Sequence, residues 1–220
     1  MILNSVKTGG SRDILTGVVA AGQEVAFGAF VKRAADGTIK MVPTGTNVQG
    51  FIGVAVDDVV QRDVEGFYSE GDVVPIITSG IVNTWLLGGE VVKSGGYLKF
   101  PATLGTGAEG LGVLAPESDD TKTLNSVAKY VGKNDAGNAD YDQDVSTISG
   151  KTLTCSELAR LDLAEGDYVV IDSEEAAEVN MVDDPAASTT TFTVAKTPLA
   201  SHATGIKVYK LVQIPVQLVI

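Results

Sequence analysis

The feature that most limits this chain is its punctuation. Short runs rich in Val, Ile, Thr and aromatic residues are cut repeatedly by Gly, Asp and Asn. Gln23 to Val31, Gly50 to Val56, Val73 to Ile77, Ile81 to Leu87, Tyr97 to Phe100 and Tyr168 to Ile171 are such runs. β-Branched and aromatic side chains suit a pleated, half-buried surface, and the punctuating residues suit turns. The pattern therefore predicts an all-β fold, a small barrel or sandwich with a second small β-module after it or inserted into it. Asp36-Gly37, between Phe30-Val31 and Ile39 to Met41, predicts a hairpin. Helical periodicity is confined to Ser156 to Leu163, with Ser156 as the expected N-cap and Glu157 in the first turn. Two weak echoes, Phe51-Ile52-Gly53-Val54 with Gly110-Leu111-Gly112-Val113 and Glu70-Gly71-Asp72 with Glu165-Gly166-Asp167, read as shared turn chemistry.

At 220 residues and 44% apolar content the chain can bury a core and form one large unit or two small ones. The expected organisation is a β-barrel domain over 1–118, a polar linker over 119–150, a second β-module over 151–210 and a terminal strand over 211–220. The linker reading rests on the Asp, Asn, Ser and Thr content there. The last run, Val212 to Ile220, is mostly apolar. Left in water it would invite aggregation, so it is expected to return to the first domain as a buried strand.

Composition argues against several functions. Lys and Arg number 16 against 28 Asp and Glu, a formal charge of −12, which disfavours general affinity for nucleic acid. One cysteine and one histidine leave no disulfide framework or multi-cysteine zinc site, and argue against a Ser-His-Asp triad. Leu15 to Val31 is too polar and glycine-rich for a membrane span, and no secretory or lipidation signal is read at either end. The expectation is a protein made in a cytoplasm, with no membrane partner.

The loop with Asp135, Asp140, Asp142 and Asp144 is dense in carboxylates, but its spacing does not match a calcium loop, and a solvated acidic loop is expected. Cys155 reads as a small core residue, because its only possible base is His202, itself in a structural loop. Lys40 falls inside a strand and not at a hairpin tip, which disfavours a carrier-domain role. Gly105 to Gly110 spells a Gly-x-Gly-x-x-Gly pattern without the helix that would make it bind phosphate. No cofactor, metal or catalytic set is expected. Phe67-Tyr68, set among charges, and Trp85 suit either a protein interface or the core, and sequence leaves both open.

Two stretches carry a recognisable succession of motifs. One runs from Gly22 to Glu117 through Gly28-Ala29-Phe30-Val31, Phe51-Ile52-Gly53-Val54-Ala55, Glu70-Gly71-Asp72-Val73-Val74-Pro75-Ile76, Ser79-Gly80-Ile81-Val82, Val91 to Leu98 and Leu111-Gly112-Val113-Leu114-Ala115. This succession resembles the head decoration, or capsid cement, proteins of tailed bacteriophages and related archaeal viruses. The other, Leu158-Ala159-Arg160-Leu161 through Glu165 to Ile171, Phe192-Thr193-Val194 and Ser201 to Tyr209, resembles a small β-module of phage virion proteins. The resemblance implies a non-enzymatic structural protein on the capsid surface. Its partners would be the major capsid protein and two further copies of itself in a homotrimer. An N-terminal arm with Ile2, Leu3 and Val6 could add to a neighbour's sheet, or could be a frayed terminus. The expected partner contacts are thus Ile2, Leu3, Val6, Phe67, Tyr68 and Trp85. The alternatives are a tail or head-fibre part, or a carbohydrate- or receptor-binding β-sandwich with a shallow groove of aromatic, acidic and amide side chains.

Overall fold

A computed structural model describes residues 13–43, 50–57, 66–101, 111–172, 177–198 and 206–219. The fold is all-β. In chain order the strands are β1 (Ile14–Val18), β2 (Val25–Ala26), β3 (Phe30–Arg33), β4 (Ile39–Met41), β5 (Phe51–Ala55), β6 (Phe67–Tyr68), β7 (Val73–Ile77), β8 (Ile81–Leu86), β9 (Val91–Val92) and β10 (Tyr97–Lys99). They continue as β11 (Ala115–Pro116), β12 (Ala128–Tyr130), β13 (Ala136–Gly137), β14 (Asp142–Ser149), β15 (Thr152–Cys155), β16 (Tyr168–Asp172), β17 (Glu178–Asp184), β18 (Thr191–Val194), β19 (Ile206–Lys210) and β20 (Val212–Leu218).

Two five-stranded sheets build the first unit, in the orders β1-β7-β5-β3-β4 and β11-β10-β12-β20-β8. Phe30, Val54 and Ile77 from the first sheet share a core with Val82, Leu86, Leu98, Tyr130, Ile214 and Val216 from the second. Three rings, Phe30, Phe51 and Phe100, meet edge-on or tilted within it, with centroids 5.3 to 6.0 Å apart. The first sheet curls so that its other face encloses Val19, Val31, Ile39, Tyr68, Val74 and Ile76. A parallel bridge from Val19 to Ile39 and a hydrogen bond from the Ala20 N–H to the Ile39 carbonyl (2.9 Å) bring the two ends of that sheet together. The Asp36-Gly37 turn joins β3 to β4, and the Asp36 carboxylate accepts the Thr38 N–H at 3.0 Å. The terminal strand β20 lies between β8 and β12, pairing along its whole length with β8. Its apolar residues thereby leave water, which is the physical reason for so long a return.

The second unit is a closed six-stranded barrel in the order β14-β15-β18-β17-β16-β19. Alternation lines its interior. β15 (Thr-Leu-Thr-Cys) and β18 (Thr-Phe-Thr-Val) bury every second residue, sending Leu153, Cys155, Phe192 and Val194 inside. β16 is buried on both faces: Val169 and Ile171 point into the barrel, while Tyr168 and Val170 pack against the first unit. The 156–163 segment is a shorter element than the sequence predicts, a 3-10 turn over Leu158–Leu161. Glu157, not Ser156, is its N-cap residue, and no side chain caps it. Leu158 and Leu161, three apart on one side of a three-residue turn, both enter the barrel core. The segment 119–150 is not a linker: β12, β13 and β14 lie in it. Most of its polar residues occupy turns and the outward positions of a barrel strand, with Ser126 and Gln143 buried, so composition there reports solvent exposure and not the absence of structure.

Glu117, buried beside β11, accepts hydrogen bonds from Thr123 Oγ1 (2.5 Å) and Ser126 Oγ (3.0 Å) and pairs with Lys99 Nζ (3.1 Å). Burial opposes its ionisation, but the hydrogen bonds from Thr123, Lys99 and Ser126, with the Lys99 charge, outweigh burial and hold the carboxyl below its ordinary value of 4.5. The stabilisation linked to that shift is complete above 4.5 and is lost as pH falls through the lower folded value. Glu117→Gln should therefore lower stability by about 1–3 kcal/mol at neutral pH. It should also flatten the acid limb of stability against pH. Urea titrations at pH 7 and below pH 4 check this; an equal loss at both would rule out the ionised carboxylate as its source.

Candidate interaction surfaces

Three of the six expected contact residues, Ile2, Leu3 and Val6, lie outside the described residues. The structure corrects the other three as surface contacts, because the chain's own interior takes them. Phe67 and Tyr68 form β6, which pairs with β2 and is buried on both faces. Phe67 points toward the barrel unit, Tyr68 toward the first unit's second core, and the Tyr68 hydroxyl donates to the Val56 carbonyl at 2.6 Å. Trp85 is buried as well, its Nε1–H donating to the Phe27 carbonyl at 2.5 Å.

These rings are joined by one that sequence reasoning passed over. Tyr168, first residue of β16, lies with its centroid 5.0 Å from Trp85 and 5.7 Å from Phe67, and its hydroxyl donates to the Gly66 carbonyl at 2.5 Å. A second fastening is Lys196, just past β18. Its ammonium pairs with Glu24 at 2.7 Å and sits 4.1 Å above the Phe67 ring centroid. The sequence marks Tyr168 as the start of the apolar Tyr168 to Ile171 run after the Glu165-Gly166-Asp167 turn, but not as a contact between units; Lys196 carries no signal.

Beside Lys196 lies a cleft of about 410 Å³. Its floor is apolar, from Met41, Phe67, Ala177 and Val179, and its rim carries Glu24, Glu70, Glu178 and Lys196. The groove expected of a carbohydrate binder would present an aromatic face, but Phe67 is buried and its ring is capped by the Lys196 ammonium. Sugar stacking lacks its platform among the lining residues.

A different surface is exposed at β1. Ile14 is 61% exposed, Leu15 46%, Val18 44% and its cross-strand neighbour Val73 41%. Alternation puts Ile14, Val18 and the neighbouring Val73 on one face of this sheet edge and Leu15 on the other, so the edge exposes apolar side chains on both faces, a feature that marks interaction sites. β1 pairs with β7 along its length. A cleft of about 450 Å³ separates it from the Asp36–Thr38 turn and is lined also by Thr16, Val18 and Val73.

The acidic loop resolves into structural contacts. Asp135 accepts the Ser94 N–H at 3.0 Å, and Asp142, already in β14, pairs with Lys207 at 2.6 Å. Among the described residues no group of three or more acidic, His or Cys side chains is placed to hold a metal ion. Cys155 is buried in the barrel, where burial first and the Asp144 charge second push its thiol up to about 11. That is the reverse of an activated nucleophile. His202 and the 105–110 glycines lie outside the described residues, and Lys40 stands within β4 opposite Lys32. No described helix is long and apolar enough to cross a membrane. The chain matches no known family model, and no curated protein matches it.

Proposed function

We propose that this protein is a virion structural component that decorates and stabilises the capsid shell by binding the lattice of the major capsid protein, as a homotrimer and without catalysis. The observation that carries the reading is the exposed apolar edge strand β1, with Ile14, Val18 and the neighbouring Val73 on one face and Leu15 on the other. A protein that binds many identical sites needs such an exposed face on a rigid frame more than it needs an enclosed pocket. The resemblance supports the same reading: its first stretch, from Gly22 to Glu117, supplies strands β2 to β11 of one unit, and the described part of its second supplies β16, β18 and β19 of the six-stranded barrel.

The test is co-sedimentation of the purified protein with expanded capsids of the virus that encodes it, beside a variant carrying Ile14→Lys and Val18→Lys. The reading expects saturable binding by the wild type and at least a tenfold loss in the variant. Binding to isolated tails and not to capsids would move the protein to the tail, and binding to neither would overturn the virion reading.

A further inference from the structure

β1 is the end strand of its sheet. We infer that in free solution its outer edge pairs with the same edge of a second copy of this chain, antiparallel and two-fold, with Leu15 on the axis.

The β1–β7 ladder shows which backbone groups are open. The Thr78 N–H donates to the Asp13 carbonyl at 2.9 Å, and the Val19 N–H to the Asp72 carbonyl at 3.0 Å. Ile14 stands opposite Ile77 and Val18 opposite Val73 in the same register. The odd-numbered residues of β1 therefore bond to β7, and the even-numbered ones turn their N–H and C=O groups to the edge. Pro75, which has no N–H to give, faces Thr16, as this pattern requires. One end of the edge is closed. Val19 bridges Ile39, and the Ala20 N–H donates to the Ile39 carbonyl at 2.9 Å. The open groups are those of Ile14 and Thr16. Charges, prolines and bulges are the usual guards against strand addition, and Ile14 to Val18 carries none of them.

This window sets the register, and the register is complementary to itself. An antiparallel strand that uses only Ile14 and Thr16 and stops short of Val18 is centred on Leu15. Ile14 and Thr16 of each copy then exchange main-chain hydrogen bonds with the second copy's Thr16 and Ile14. The two Leu15 side chains, each 46% exposed in the single chain, meet across the axis on one face. On the other face Ile14, 61% exposed, lies opposite the second copy's Thr16 and diagonal to its Val18. Asp13 falls opposite the second copy's Gly17, which offers no side chain to collide with. Every favourable pair occurs twice, as an isologous contact demands, and this is the argument for a copy of the same chain as the occupant. Five residues a side are few against the roughly 20–30 of a stable interface, so the pair should be weak and concentration-dependent. The inference concerns the protein off the shell and does not rest on the virion reading; where both hold, the pair opens as the edge meets the shell.

The experiment is sedimentation equilibrium of the full chain over a wide concentration range, with Thr16→Pro beside it. The expected result is a reversible monomer–dimer equilibrium, the mass rising toward twice 22.8 kDa. Thr16 and Pro75 exchange no hydrogen bonds, so this substitution removes only a donor on the edge. It should weaken the pair at least tenfold, with thermal unfolding as the check on its fold. Leu15→Cys tests the register. Cys155 is buried, so the introduced thiol is the one that reacts, and mild oxidation should link two copies through it. Val73→Cys, exposed to a similar degree but one strand in from the edge, should cross-link at least tenfold less. If Thr16→Pro does not fold, the two cysteine variants decide. A monomer at every concentration, an assembly that Thr16→Pro leaves unchanged, or equal cross-linking at the two positions would overturn the inference.

Discussion

Replacing Tyr168 by alanine should lower stability by about 3–5 kcal/mol, the usual cost of deleting a large buried aromatic side chain. For a chain of this length that corresponds to roughly 10 °C in unfolding temperature. The ring is nearly fully buried between Trp85 and Phe67, and its hydroxyl meets the Gly66 carbonyl, so one side chain from the barrel unit touches two elements of the first. It contributes nothing to the barrel's own interior, which is filled by Val169, Ile171, Leu153, Phe192 and their neighbours. The loss should therefore fall on the junction. Calorimetry of the variant should show a broadened or divided transition where the wild type shows one. Tyr168→Phe separates the two contributions: it keeps both ring contacts, deletes only the hydrogen bond, and should cost about 1–2 kcal/mol. If Tyr168→Ala unfolds within about 1 kcal/mol of wild type, the two units are not held by this ring.

The weight on Tyr168 shows where sequence reading reached its limit. Strand class, the Asp36-Gly37 hairpin and the interior placement of Cys155 were legible because each depends on local chemistry: alternation, turn geometry, or lack of a base. The fate of Phe67 and Tyr68 was not. Their neighbours Glu65, Ser69 and Glu70 are polar, which suggests a surface loop. Yet a strand two residues long, wedged between two separate cores, needs only those two side chains to be apolar. A fold with two units has interior on the outside of each, and a one-strand window cannot distinguish a face turned to water from a face turned to the other unit. β16 makes the same point: its unbroken Tyr-Val-Val-Ile run is double burial, and only the second unit's position explains it. The cleft was illegible for a related reason. Its floor and rim come from segments more than a hundred residues apart, joined only by the packing of the two units.

The echo between Phe51-Ile52-Gly53-Val54 and Gly110-Leu111-Gly112-Val113 has a more specific basis than shared turn chemistry. Both of the matching glycines, Gly53 and Gly112, border β3. Gly53 faces Val31 across the ladder at an irregularity in register, and Gly112 exchanges main-chain contacts with β3 directly: its carbonyl accepts the Phe30 N–H at 2.9 Å. A Cβ on Gly112 would stand 2.7 Å from the Ala29 Cβ and 2.8 Å from both the Phe30 nitrogen and oxygen, at a φ of +62°. Those neighbours are backbone and a methyl carbon, which cannot swing aside. Gly112→Val should accordingly force the segment away from β3. That would break its hydrogen bonds to Phe30 and Val42 and expose the Phe30 core, at a cost of more than about 3 kcal/mol. The control is Gly71→Val, at a comparable φ of +86° but with open space around it. It carries the strain of a β-branched residue at positive φ without the collision, and should cost about 1–3 kcal/mol. Chemical denaturation of the pair measures the difference, which isolates the close approach from the backbone conformation. Equal losses would mean that φ alone demands glycine at Gly112, and that the packing of this segment onto β3 tolerates a side chain.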